Sequence, residues 1–193
     1  MKSHLLPQLK NDLQQLGSPE KAAFLLRFFK TGKGQYGEGD VFLGITMPQI
    51  RETVKGYAAI SIEEWEQLLH SPFHEFRMAA LIGLMKQFQK SKKYESVQQR
   101  IFEIYLNNLD YINNWDLVDV TCRDIIGAYL LHRERDILYE LAHRSHLWAQ
   151  RVAIVSTWYF ITRNQFSDTL RISEILLSHP HDLIHKAVGW MLR

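Results

Sequence analysis

The sequence predicts an all-α fold, with paired helices stacking as repeats into an α-solenoid. Three observations predict it. Apolar residues recur three and four apart almost throughout the chain. Proline, glycine and side-chain caps punctuate these stretches at helix-like intervals. A short pattern, one basic residue followed by small and apolar ones, returns at a spacing typical of stacked helix pairs.

Leu6, Leu9, Leu13 and Leu16 fall on one helical face, and Gly17 ends that helix. Ser18 then reads as an N-cap and Pro19 as the first helical residue, opening a helix with Ala22, Leu26 and Phe29 on its apolar side. Residues Thr31 to Gly44 hold five of the ten glycines and read as a flexible loop. Pro48 opens a helix carrying Ile50, Val54 and Tyr57. Ser61 and Glu64 fit a capping box ahead of Ile62, Trp65 and Leu69. After Ser71-Pro72, the residues Phe76, Ala80, Leu84 and Phe88 step by four, and the helix that follows carries Val97, Ile101, Ile104, Tyr105 and Asn108. Later helices start near Asn114, Arg135, Leu147, Asp168 and Asp182.

Val152 to Ile161 is nearly continuous in apolar residues and rich in β-branched ones, so by itself it suits a buried strand equally well. Context decides for a helix, because no other segment reads as a strand partner for its backbone.

The repeat is carried by Phe76-Arg77-Met78-Ala79-Ala80, Gln150-Arg151-Val152-Ala153-Ile154 and His185-Lys186-Ala187-Val188-Gly189. Arg77 and Arg151 lie 74 residues apart, two periods of 37, and Lys186 follows 35 residues after Arg151. Such a period belongs to HEAT-like or TPR-like solenoids, whose inner helices line a concave groove suited to a long, regular partner. The register predicts Arg77, Arg151 and Lys186 along one inner surface.

A length of 193 residues suits one domain, 1–193. The formal net charge of +2 permits a polyanion partner only if the basic groups collect on one face. Cys122 is the lone cysteine, which excludes a disulfide framework and a multi-cysteine zinc site and fits a small buried apolar residue. No apolar run approaches the ~20 residues of a membrane span, and Met1 to Lys10 lack a signal-like apolar core. A soluble, cytoplasmic protein with no membrane partner is expected.

Candidate chemistry concentrates in Asn113 to Asp119. Trp115 and Asp119 are four apart and share a helical face, while Asp116 points elsewhere. An indole beside a carboxylate can stabilise a cationic, sugar-like centre; a core tryptophan beside a solvated or capping acid has the same spacing. Arg151, at the start of the most apolar helix, either pairs with an acid or holds a phosphate. Lys186 and Trp190 again share a face. The stretch Thr31 to Asp40 lacks the residue order of a phosphate loop, leaving Lys33 and Tyr36 as loop residues able to reach a polyanion. His179, His181 and His185 lack a third-ligand pattern and read as a surface cluster, so no metal is expected.

Several of these segments, taken in order, resemble the AlkD-like family of HEAT-repeat alkylpurine DNA glycosylases. They are Arg27 to Asp40, Phe42-Leu43-Gly44-Ile45 with Pro48, Asn114 to Asp119, Leu147 to Ile154, and Lys186 to Arg193. The resemblance implies an α-solenoid of HEAT-like repeats with a basic concave face along duplex DNA. It implies excision of N3- or N7-alkylated purines by a monofunctional, monomeric enzyme without metal or organic cofactor. Carried over, the catalytic aspartate falls on Asp119, the cleft tryptophans on Trp115 and Trp190, and the phosphate-binding arginine on Arg151. Lys186, Arg77, Lys33 and Tyr36 complete the expected DNA-binding set. The chain departs from the family at Ile45, Thr46 and Met47, where some members place a polar pair near the lesion. Members also usually continue past the position of Arg193, which here lies in the last predicted helix, so a C-terminal tail is expected to be lacking. A non-catalytic HEAT-like scaffold binding DNA or a protein helix is the alternative; keeping both Trp115 and Asp119 favours catalysis.

Overall fold

The computed structural model of the protein describes residues 4–193. Those residues are helical, with one isolated bridge between Val41 and Phe73 and no strand, as the periodicity predicts. They form two compact units, divided between Ser91 and Lys92.

The first unit contains α1 (Leu5–Gln15), α2 (Pro19–Phe28), α3 (Met47–Lys55), α4 (Ile62–Leu69) and α5 (His74–Lys90). The capping box read at Ser61 is present: Glu64 N–H donates to Ser61 Oγ at 3.2 Å and Ser61 N–H to Glu64 Oε2 at 3.0 Å. Helix α5 is buried around most of its circumference and packs against α3 and α4, as an all-round apolar helix must.

Helix α2 departs from expectation. It buries no residue, and Phe24, Leu26 and Phe28 are exposed; of its predicted apolar set only Phe29, just past its end, is buried. Periodicity says which residues share a face, not whether another element covers that face.

The glycine-rich segment is held by specific bonds instead of forming a free loop. Gly34 N–H donates to Glu38 Oε2 at 2.7 Å, and Gly37 N–H to Lys30 O at 3.2 Å. At its end, buried Asp40 accepts from Arg77 Nη2 at 2.6 Å and lies 3.1 Å from His74 Nδ1. Glu75, also buried, accepts from the amides of Leu43, Gly44 and Ile45 at 2.9, 2.8 and 3.2 Å. Two acids therefore staple the segment to the first turn of α5 through charge-assisted bonds.

The second unit contains α6 (Glu95–Asn107), a 3₁₀ turn (Leu109–Tyr111), α7 (Trp115–Cys122), a π-helical turn (Arg123–Gly127) and α8 (Ala128–Leu130). It continues with α9 (Asp136–His143), α10 (Leu147–Ser156), α11 (Trp158–Ile161), α12 (Ser167–Ile175) and α13 (Asp182–Met191). The ambiguous run is helical. It is interrupted at Thr157, whose N–H and Oγ both return to Ile154 O, at 3.2 and 2.7 Å. Helix α10 is apolar all round because α7, α9 and α13 pack against it, which explains the strand-like sequence. Cys122 is fully buried, as expected of a small core residue. Helix α13 closes at Met191, so Arg193 lies beyond it and not within it. No helix among the described residues is long and apolar enough to cross a membrane.

The π turn gives no sequence signal. It passes so close to the α10–α11 junction that a Cβ on Gly127 sits 2.4 Å from Ser156 O and 2.7 Å from Tyr159 Cβ. Gly127→Ala is therefore expected to lower stability by about 1–3 kcal/mol through overpacking. Denaturant unfolding checks it; wild-type stability in that variant means that the two segments can separate without cost.

Candidate functional site

Fully buried Asn114 caps α7, its side chain accepting from Trp115 N–H at 2.9 Å. That cap sets the register of the stripe that follows. Trp115, Asp119 and Arg123 are four apart along α7 and its C-cap, and so lie along one side. Asp116 is off this stripe, and its carboxylate accepts from Leu117 N–H at 2.9 Å.

Asp119 and Arg151 form a bidentate pair. Arg151 Nε and Nη2 donate to the two carboxylate oxygens at 2.8 Å each, and Nη1 donates to Leu183 O at 2.5 Å. One guanidinium thus ties together α7, α10 and the start of α13. The Arg151 side chain is 6% exposed and that of Asp119 16%, so the acid is largely buried but not sealed from solvent. Burial lifts the Asp119 carboxyl above its ordinary value, with Asp116 adding to the rise and the Arg151 pair opposing it.

The expected tryptophans are accessible. Trp115 is half-buried, and Trp190 is 36% exposed. Trp190 lies 5.0 Å, centroid to centroid, from Trp158, whose ring carries the Arg123 guanidinium at 4.4 Å. Arg123 is in turn held by Asp124 through bonds of 3.0 and 2.8 Å. Sequence reading missed Arg123 and Trp158. Arg123 continues the four-residue spacing of Trp115 and Asp119 and was legible. Trp158 was not, because it sits inside a run that reads as core, just after the helix break at Thr157.

The remaining basic residues divide. Arg77 occupies the same repeat position as Arg151 and, like it, is buried against an acid, here Asp40. The recurring basic residue thus marks an internal ion pair in α5 and α10, which corrects the expectation of an open basic row. An enclosed Arg77 offers no surface guanidinium to a phosphate. Lys186 differs: it is exposed and pairs with Asp182 one turn away at 2.7 Å. Lys33 is exposed and Tyr36 half-buried in the first unit.

The histidine cluster caps a helix. His181 Nδ1 accepts from Leu183 N–H at 3.1 Å, and His179 Nδ1 accepts from His181 N–H at 3.0 Å. Among the described residues no group of three His, Cys, Asp or Glu side chains is placed to hold a metal ion.

The arrangement offers a clamped, largely buried carboxylate on the same helix side as the half-buried Trp115 indole. That combination suits attraction of a cation and orientation of a small nucleophile. No curated protein matches the chain. A family model described as DNA alkylation repair enzyme matches residues 9–193, across both units. The chain therefore belongs to the family of DNA alkylation repair enzymes, and DNA is the partner that this role requires.

Proposed function

We propose that the protein is a monofunctional DNA glycosylase that hydrolyses the N-glycosidic bond of cationic N3- and N7-alkylated purines in duplex DNA. 3-Methyladenine and 7-methylguanine are the model lesions, and the reaction opens base excision repair. The observation that carries this reading is the Asp119 carboxylate, clamped by Arg151 yet still 16% exposed as a side chain, on the same stripe as Trp115.

The chemistry needs little else. An alkylated purine already bears positive charge and leaves as a neutral base without a general acid. The deoxyribose becomes cationic as the bond lengthens. Asp119 stabilises that cation and takes a proton from the attacking water. Trp115 and Trp190 flank the sugar and exclude bulk solvent. Water is the only co-reactant, so neither metal nor organic cofactor is required. Arg151 acts as the clamp of Asp119, with three of its five N–H groups engaged and its side chain 6% exposed; contact with a phosphate needs the site to open further on DNA. Lys186, Lys33 and Tyr36 supply further backbone contacts. Selection rests on lesion charge and bond lability in this reading, and the base need not be flipped. In this reading the chain is one HEAT-like α-solenoid domain with a concave DNA-binding groove, monomeric, cytoplasmic and nucleoid-associated.

One observation favours a second reading, a non-catalytic DNA-binding scaffold: a bidentate acid–arginine pair is also a common structural tie. A base-release assay on a duplex carrying a single 7-methylguanine separates the two. Free base and an alkali-labile abasic site are expected, and intact substrate at enzyme excess sinks the glycosylase.

The pH dependence follows from Asp119. Its carboxylate is the working form and its carboxyl titrates above the ordinary aspartate value, so the rate falls on acidification already above that value. Stability runs the other way at this group. A raised folded value favours the protonated native state, and that contribution is lost as pH rises through it. Initial rates against pH check the first statement; an acid limb that persists unchanged in Asp119→Asn belongs to another group.

A further inference from the structure

The first unit contains a cleft of about 390 Å³ between the C-terminal turn of α3, helix α4 and the second half of α5. Its walls include Val54, Ala58 and Trp65, and Lys55, Lys86 and Lys90 also line it. The Trp65 ring lies so close to Gly83 that a Cβ there would meet it at 2.4 Å, which fixes the indole as a rigid wall.

Three polar atoms of lining residues are buried without a hydrogen-bond partner among the described residues: Lys86 Nζ, Trp65 Nε1 and Gln87 Oε1. Gln87 is fixed by its other end, Nε2 donating to Ile60 O at 2.5 Å. Buried polar groups are nearly always partnered, by protein or by water, so three such atoms on the residues of one cleft give it polar groups that a ligand can engage. Its chemistry is constrained. Two of the atoms are donors beside two further lysines, while Glu52, whose charge also acts on Lys86, already pairs with Lys55. The rest of the lining is Val54, Ala58, the Trp65 ring, Gly83 and one further polar residue, Gln89.

We infer that this cleft binds a small organic phosphate monoester, its phosphate taken by Lys86 and its apolar body lying against Val54, Ala58 and Trp65. The site belongs to the first unit and does not depend on the glycosylase reading. Burial and the neighbouring cations Lys55, Lys90 and Arg51 hold the Lys86 ammonium below its ordinary value, with Glu52 opposing. A dianion beside this ammonium offsets both effects.

The probe is 1-naphthyl phosphate, followed through the Trp65 indole N–H resonance, which Trp65→Phe assigns. Saturable one-site binding with a shift of that resonance is expected, with 1-naphthol and inorganic phosphate each binding at least about tenfold more weakly. Lys86→Met is expected to lose roughly tenfold or more in affinity, the scale of one charge-assisted hydrogen bond. The same substitution is expected to raise the Tm of the ligand-free protein, because it removes an unpartnered charge. Lys86→Gln repeats the binding test with a polar side chain. Undiminished binding in both variants, no shift at millimolar probe, or a lowered Tm for ligand-free Lys86→Met overturns the proposal. So does displacement of the probe by an undamaged duplex through Lys86, which assigns the phosphate to DNA and not to a small molecule.

Discussion

Asp119→Asn is expected to reduce release of 7-methylguanine from duplex DNA by ~10²–10³-fold, the usual worth of a charge placed against a developing cation in a partly desolvated site. Asparagine keeps the shape but loses the negative charge and the ability to take a proton from water. It also leaves Arg151 facing an amide, so only one of the two 2.8 Å bonds keeps an oxygen acceptor. Part of the loss therefore comes with lower stability, and the rate has to be read alongside a melting curve at a temperature where the variant is folded. Affinity for undamaged DNA is expected to hold or rise slightly, since a carboxylate repels phosphates. Asp116→Asn is the internal control, because Asp116 is off the stripe that carries Trp115 and Asp119. Full activity in Asp119→Asn together with a dead Asp116→Asn moves catalysis to the other acid. If neither changes excision, the mechanism itself fails.

Arg151→Ala carries the largest expected effect on stability. The sequence places Arg151 in a groove, where its loss spares the fold. In the structure it is enclosed, paired with Asp119 and bonded to Leu183 O, so its removal strands a largely buried carboxylate and deletes a tie to α13. Breaking such a pair from one side costs about 3–5 kcal/mol, nearer the lower end here because Asp119 retains 16% exposure. With its main opposing cation gone, the Asp119 carboxyl rises further. Base release falls with it, and the salt dependence of DNA binding flattens by a slope of about one if a phosphate contact is also lost. Urea unfolding measures the first effect. The double substitution Arg151→Met with Asp119→Leu is the companion test: replacing both charges with apolar groups is expected to restore much of the stability without restoring activity. A single Arg151→Ala variant as stable as wild type removes the clamp from the account.

The two substitutions also show where sequence and structure part. Periodicity, the Ser61 capping box and the proline and glycine stops are local properties, set by neighbours a few residues away. The sequence by itself therefore determined the helical class, most helix starts, and the shared face of Trp115 and Asp119. It also determined that a basic residue recurs at Arg77 and Arg151.

What that residue meets was decided only by tertiary packing. Asp40 lies 37 positions before Arg77, and Asp119 32 before Arg151. No local pattern specifies partners at such separations; only the docking of helices makes them neighbours. The same holds for Trp158 beside Trp190, and for Phe24 and Phe28, an apolar pair that no helix covers. Burial is a property of what packs against a face, and the face alone does not contain that information.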